Sequence, residues 1–282
     1  MRVPAPQTPG APWSNSTSVS SGWALAQIID SGMRNIAITP SLSGIQGLIS
    51  AQEWQQVIKS SVARWNQALE RCCSVRLSIA PAAHRQLAVE DGLNVIILRR
   101  GLWCHNEVCG HTSTFPPDTL AMTTAYPEGA QDAQVHEADI EVNSRMLHTV
   151  ASDFFAGDTT SRAQATTSGI WVYGPPNSRF VVPLEAVLLH ELGHVMGLRD
   201  VCTNAHGASS GDIAAKCAAE QRESVMFPDA HQLQPTPADL DQLASLYPPT
   251  HGGTREFWVL LAVAIVMLLV YGVFVLHRRR AI

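Results

Sequence analysis

In the stretch HELGHVMGLRD, residues 190–200, two histidines stand four positions apart with a glutamate directly after the first. On an α-helix, positions i and i+4 share a face, so His190 and His194 can offer two imidazoles to one tetrahedral metal ion. Glu191 stands beside them, where its carboxylate can take a proton from a zinc-activated water and pass it to a leaving amine. The chemistry that these residue types support is amide hydrolysis. So short a string also arises on ordinary helices whose histidines face solvent, and its surroundings must decide. Gly197 lets the chain leave the helix abruptly and fold back beneath the metal, where a third ligand is required. Asp200 follows, and a carboxylate is an accepted zinc ligand that completes a two-His, one-carboxylate set. Its charge makes the activated water less acidic than three neutral imidazoles would, and shifts metal preference slightly toward harder ions. Two other completions stay open: His206, with Asp200 only capping the turn, or a downstream glutamate such as Glu220 or Glu223.

The segment resembles the metzincin zinc-peptidase motif HExxHxxGxxH, with Asp200 in its last position. SVMFP, residues 224–228, resembles the Met-turn in its matrixin-like form, which implies that Met226 lies beneath the zinc as a floor and not as a ligand. DLDQLASLYP resembles the helix that closes those catalytic domains, and LAMTTAYPEGAQDAQVHEADIEVN the edge-strand region before their active-site helix. The likeness spans roughly residues 22–248. It implies one catalytic Zn2+ held by His190, His194 and Asp200, with Glu191 as general base and acid. It also implies a protein or peptide substrate that pairs in extended form near the edge strand, with a selecting pocket after Met226. Phe227 stands where some metzincin branches have a tyrosine that assists the zinc, so no tyrosine is assigned that role. A structural Ca2+ is left open, with no residues to support it.

The elements that must position these groups follow from periodicity. NIAITPSL (35–42) reads as a first strand. From Ser50 the pattern turns helical: Ser50 and Glu53 form a capping-box pair, and Trp54, Val57, Ile58, Val62, Trp65, Ala68 and Leu69 recur at steps of three and four. VRLSIA (75–80) alternates, LNVIIL (93–98) is a continuous apolar run suited to a strand covered on both faces, and ADIEVN (138–143) alternates again. That last alternation puts Asp139, Glu141 and Asn143 on one face and Ala138, Ile140 and Val142 on the other, as in a strand with one buried side. Residues 183–198 predict the site helix, with Pro183 at its start and Gly197 near its end, and residues 235–248 a closing helix. The fold expected is α+β: a metzincin-like (zincin) domain with a twisted, mostly parallel sheet, two long helices above the cleft and an irregular lower sub-domain.

Residues 257–276 form an uncharged apolar run of 20 residues, about what a helix needs to cross roughly 30 Å of hydrocarbon, so a transmembrane helix is expected there. His277 and Arg278–Arg280 follow, and the positive-inside bias places this basic tail, 277–282, in the cytoplasm and the body outside. Residues 1–21 read as a disordered Pro/Ser/Thr leader without the apolar segment of an export signal, so the two ends of the chain disagree on topology. Residues 249–256 read as a short stalk. The apolar run with its arginines also resembles bacterial sorting tails, which leaves permanent anchor and removable signal both open.

Six cysteines allow 15 pairings; Cys104 with Cys109 and Cys202 with Cys217 would close short loops suited to an exported domain, and free thiols are the plain alternative. Adjacent Cys72 and Cys73 would pair only in a strained ring. A formal charge of -5 and no basic run inside the body exclude a nucleic-acid partner. The expected function is a membrane-anchored zinc endopeptidase, with membrane lipid as a second partner. The alternative is a non-catalytic, membrane-tethered, metal-containing binding module of peptidase-like fold.

Overall fold

The computed structural model describes residues 27–28, 33–100, 103, 115, 119–127, 135–145, 147–151, 166, 169–174, 181–202, 217–228 and 232–249. The chain divides into two compact units, residues 1–248 and 249–282, and the described helices and strands all belong to the first. Among the described residues no helix is long and apolar enough to cross a membrane. The apolar run at 257–276, the basic tail, the stalk from 250 on, the leader, and the Cys104 and Cys109 loop lie outside the described residues.

Among the described residues thirteen elements succeed one another: β1 (Gln27–Ile28), β2 (Arg34–Pro40), α1 (Ala51–Leu69), β3 (Val75–Ile79), β4 (Asn94–Arg99), β5 (Ala121–Pro127), β6 (Val135–Asn143), β7 (Leu147–Val150), β8 (Ile170–Tyr173), β9 (Val182–Pro183), α2 (Leu184–Val195), α3 (Ala219–Glu223) and α4 (Pro237–Leu246). Strands β3, β2, β4 and β6 run parallel, while β1 adds to β2 and β5 to β6 antiparallel. The sheet is therefore mixed and mostly parallel, with β5 at one edge.

Helix α1 starts where the capping box places it: Glu53 N–H donates to Ser50 Oγ at 3.2 Å, and Ser50 N–H to Glu53 Oε2 at 3.3 Å. Its apolar stripe, Trp54, Val57, Ile58, Val62, Trp65 and Leu69, is buried against the sheet and α2. Several hydrogen bonds and an ion pair fix α1 on α2. Trp65 Nε1 donates to Leu189 O at 2.9 Å, and Arg64 Nε meets Glu185 Oε1 at 2.7 Å. Every residue of α2 is buried, including Glu185, His190, Glu191 and His194. The core joins both helices to one sheet face, through Ile36, Ile38, Ile96, Leu98, Ile140 and Val142.

Strand β4 is covered on both faces, as its continuous apolar run implied. Strand β6 departs from the expectation of one buried side. It lies inside the sheet between β4 and β5, and Glu137, Asp139, Glu141 and Asn143 are all buried. The reason is a supply of donors. The segment before β4 folds over this face, so that Asp91 N–H and Gly92 N–H reach Glu137 and Val89 N–H reaches Asp139, which also accepts from Val95 N–H on β4 itself. Arg99 pairs with Glu141, and Asn143 Nδ2 donates to Thr119 O. A polar stripe is thus no proof of solvent where backbone N–H groups take its place. The small antiparallel sheet β7–β8–β9, which feeds straight into α2, was not anticipated. Cys72 and Cys73, for which pairing looked strained, form a disulfide, made in the turn between α1 and β3.

Candidate functional site

Helix α2 ends in a Schellman turn. Gly197 adopts φ +96°, Leu198 N–H donates to Gly193 O at 2.9 Å, and Gly197 N–H donates to His194 O at 2.9 Å. The reversal carries Asp200 back under the helix, and Val201 N–H fixes it there by donating to Met226 O at 3.0 Å. The Cys202–Cys217 disulfide closes the segment beyond, packed beside Phe227.

His190 and His194 are fully buried, and Asp200 keeps only 4% of its side chain exposed. His190 Nδ1 lies 2.8 Å from Val225 O and His194 Nδ1 lies 2.9 Å from Leu198 O. A carbonyl only accepts, so each Nδ1 carries a proton and each ring turns its Nε2 inward. The two Nε2 atoms are 3.1 Å apart, and Asp200 Oδ1 lies 3.0 and 3.2 Å from them. Three polar atoms converge on one point, an arrangement that a shared proton or a bound metal ion can satisfy. The spacing fits zinc, because a tetrahedral ion with bonds of about 2.0 to 2.1 Å keeps its ligand atoms about 3.3 Å apart.

The electrostatics of the protein alone agree. Burial pulls the His194 imidazole down, but the Asp200 carboxylate beside it pushes it up to about 9. Burial raises the Asp200 carboxyl, yet the two histidines hold it well below the usual carboxylate range. The site is built to favour positive charge at its centre.

Glu191 is also fully buried. Burial raises its carboxyl, and the two histidines and Thr123 pull it back. Thr123 Oγ1, on β5, donates to Glu191 Oε2 at 2.5 Å, while Oε1 has no hydrogen-bond partner among the described residues. Tyr173, at the end of β8, is buried with its hydroxyl unpartnered among the described residues, and burial and the Glu191 charge both raise it.

Beneath the helix runs the turn Ser224–Pro228. Met226 is buried, with its Sδ against Gly193: a Cβ built on Gly193 would lie 2.3 Å from that sulfur, so a larger residue there would have to push the Met226 side chain aside. Asp239, which caps α4 in a box with Thr236, also reaches the turn. It accepts from Ser224 Oγ at 2.5 Å and Val225 N–H at 3.2 Å. The carbonyl of that same Val225 receives His190, so α4 orients a ring on α2 through the turn.

The structure thus brings His190, His194, Asp200, Glu191 and Met226 together. Glu220 and Glu223 sit exposed on α3 outside the cluster, and His206 lies outside the described residues. Thr123, Tyr173, Gly193 and Asp239 were missed. Only Gly193, inside the HELGH string, carried a local signal.

No family model matches the chain, and no curated protein does. Among solved structures it is similar to high choriolytic enzyme 1, a hatching-enzyme zinc protease from the medaka fish Oryzias latipes. The two share 11% identity at a TM-score of 0.34, over 83% of this chain and 98% of that one. A likeness this slight decides neither fold family nor function.

Proposed function

We propose that the chain is a zinc-dependent endopeptidase of metzincin, matrixin-like type, anchored to a membrane through residues 257–276 with its catalytic unit outside the cytoplasm. The observation that carries the catalytic part is the convergence of three polar atoms, at 3.0 to 3.2 Å, next to a buried glutamate with one free oxygen among the described residues. His190 Nε2, His194 Nε2 and Asp200 Oδ1 would hold the ion. Zinc there supplies a more acidic water and polarises the scissile carbonyl.

The chain's own residues do the rest. Glu191 Oε1 accepts the proton that the attacking water loses as its oxygen bonds to the carbonyl carbon. It then gives that proton to the amide nitrogen as the C–N bond breaks. Among the described residues β5 pairs with β6 alone, so its other edge can take an extended peptide by strand addition.

The test is digestion of an unbiased peptide library by the full chain with zinc, beside Glu191→Ala. Cuts that vanish in the variant support the reading. No cuts from a folded, zinc-loaded chain would leave the membrane-tethered binding module in its place.

A further inference from the structure

Strand β5 turns Ala121, Thr123 and Ala125 toward the helices, in register with Val142, Ile140 and Ala138 of β6. All of these but Thr123 are apolar members of the main core. A single hydroxyl in an apolar stripe costs free energy unless it finds a partner. Thr123 is buried, and its Oγ1 lies 2.5 Å from Glu191 Oε2 and 3.3 Å from Glu191 O. One hydroxyl has one proton, and the shorter contact to the charged oxygen takes it.

The consequence is an asymmetric carboxylate. Oε2 is engaged and directed at β5, while Oε1 is left buried without a partner among the described residues. A base that must take a proton at one defined place gains orientation from this, because the ring of possible carboxylate orientations collapses to one. The same strand that would pair with the substrate also holds the base, so the peptide bond and Oε1 are set in register by one element.

We infer that Thr123 is a positioning residue for the proposed hydrolysis: it clamps Glu191 Oε2 and reserves Oε1 for the proton in flight. The inference rests on the peptidase reading given under Proposed function. A merely structural threonine, stabilising a buried carboxylate, would show its loss in folding and not in turnover.

The experiment compares Thr123→Val, which keeps the shape and removes the donor, with Thr123→Ser, which keeps the donor. Both are made in the full chain, loaded with zinc, and checked for one metal per chain and for an unchanged circular-dichroism spectrum. On a peptide that the wild type cuts, kcat of the Val variant is expected to fall about tenfold to a hundredfold, the worth of a hydrogen bond to a charged group. KM should move by less than about twofold, and the Ser variant should return kcat to within about threefold of wild type. Should the Val variant not fold, Thr123→Ala removes the same donor with less bulk and is read instead. A kcat within about twofold of wild type in the donor-less variant, or a Ser variant as slow as it, overturns the inference and leaves the peptidase standing. A wild type that cuts nothing overturns the peptidase reading itself, and the positioning role with it.

Discussion

Two groups of buried acceptors lie on opposite faces of the same sheet, and they are treated in opposite ways. On the face away from the helices, Glu137, Asp139, Glu141 and Asn143 each meet at least one donor, a backbone N–H group, Arg99 or the Arg145 N–H, although Glu137 Oε1 and Glu141 Oε2 find none among the described residues. On the helix side, His190 and His194 turn their Nε2 atoms toward each other and toward Asp200 Oδ1, at 3.0 to 3.2 Å. In the first group each carboxylate has its own donor and points to its own place in the fold. In the second the polar atoms converge on one point, where a single cation can serve all three.

The comparison breaks most visibly on metal removal. Chelation should abolish cleavage entirely and lower the thermal midpoint, since an ion present at about a thousandfold above its Kd stabilises by about 4 kcal/mol. His194→Ala should lose the metal as well, measured as zinc per chain, whereas Glu141→Gln on the opposite face should keep it. Equal zinc content in wild type and both variants would mean that the converging atoms hold no ion. Next in size is Glu191→Gln, which still accepts from Thr123 but cannot carry a proton. Its cleavage rate should fall by about a hundredfold to ten-thousandfold with zinc content unchanged.

The two groups also differ in how they could be read from sequence. His190, Glu191, His194, Gly197 and Asp200 lie within one short segment, so helix periodicity and one glycine suffice to place them. Their supports come from far along the chain: Thr123 lies 68 positions from Glu191, and Asp239 lies 15 positions from Ser224. No local pattern announces such a contact. The helices α1, α2 and α4 and the succession of β2, β3, β4 and β6 along the chain were legible because their apolar periods are regular, whereas the order of strands in the sheet was not. The burial of Asp139 and Glu141 was not, because alternation of polar and apolar residues is the same whether water or a folded-over loop supplies the donors. The vicinal Cys72–Cys73 pair, which the sequence allows only as a strained ring, is formed in the turn between α1 and β3, and a local argument about the ring could not say whether that turn accommodates it.

The group on the other face can be broken too, at a smaller cost. Arg99 and Glu141 form an ion pair with side chains 9% and 0% exposed. Arg99→Met leaves the carboxylate buried without that partner, which typically costs about 3 to 5 kcal/mol. Urea unfolding should report that loss while zinc content stays at the wild-type value. A metal deficit in this variant would mean that the two faces are not independent.

The smallest effect separates the two aspartates by sign. Burial pushes the Asp139 carboxyl up from 3.8 to about 8; the Val95 and Val89 N–H groups resist, and the charges of Glu137 and Asp91 assist. A folded value raised above the unfolded one gives stability that is full below pH about 4 and is lost as pH rises toward 8. Over one pH unit inside that window the loss approaches about 1.4 kcal/mol. Asp200 has the other sign in the metal-free protein: held below the usual range, it contributes above pH about 4 and loses that contribution as pH falls. Unfolding free energies of wild type and Asp139→Asn, compared at pH 6 and 7, should therefore diverge, the wild type losing more. Parallel curves would mean that the two backbone N–H groups outweigh burial and keep Asp139 ionised. The donors on that face would then do more than match the acceptors; they would make a buried charge as stable as one in water, which is what the helix side leaves to a metal ion.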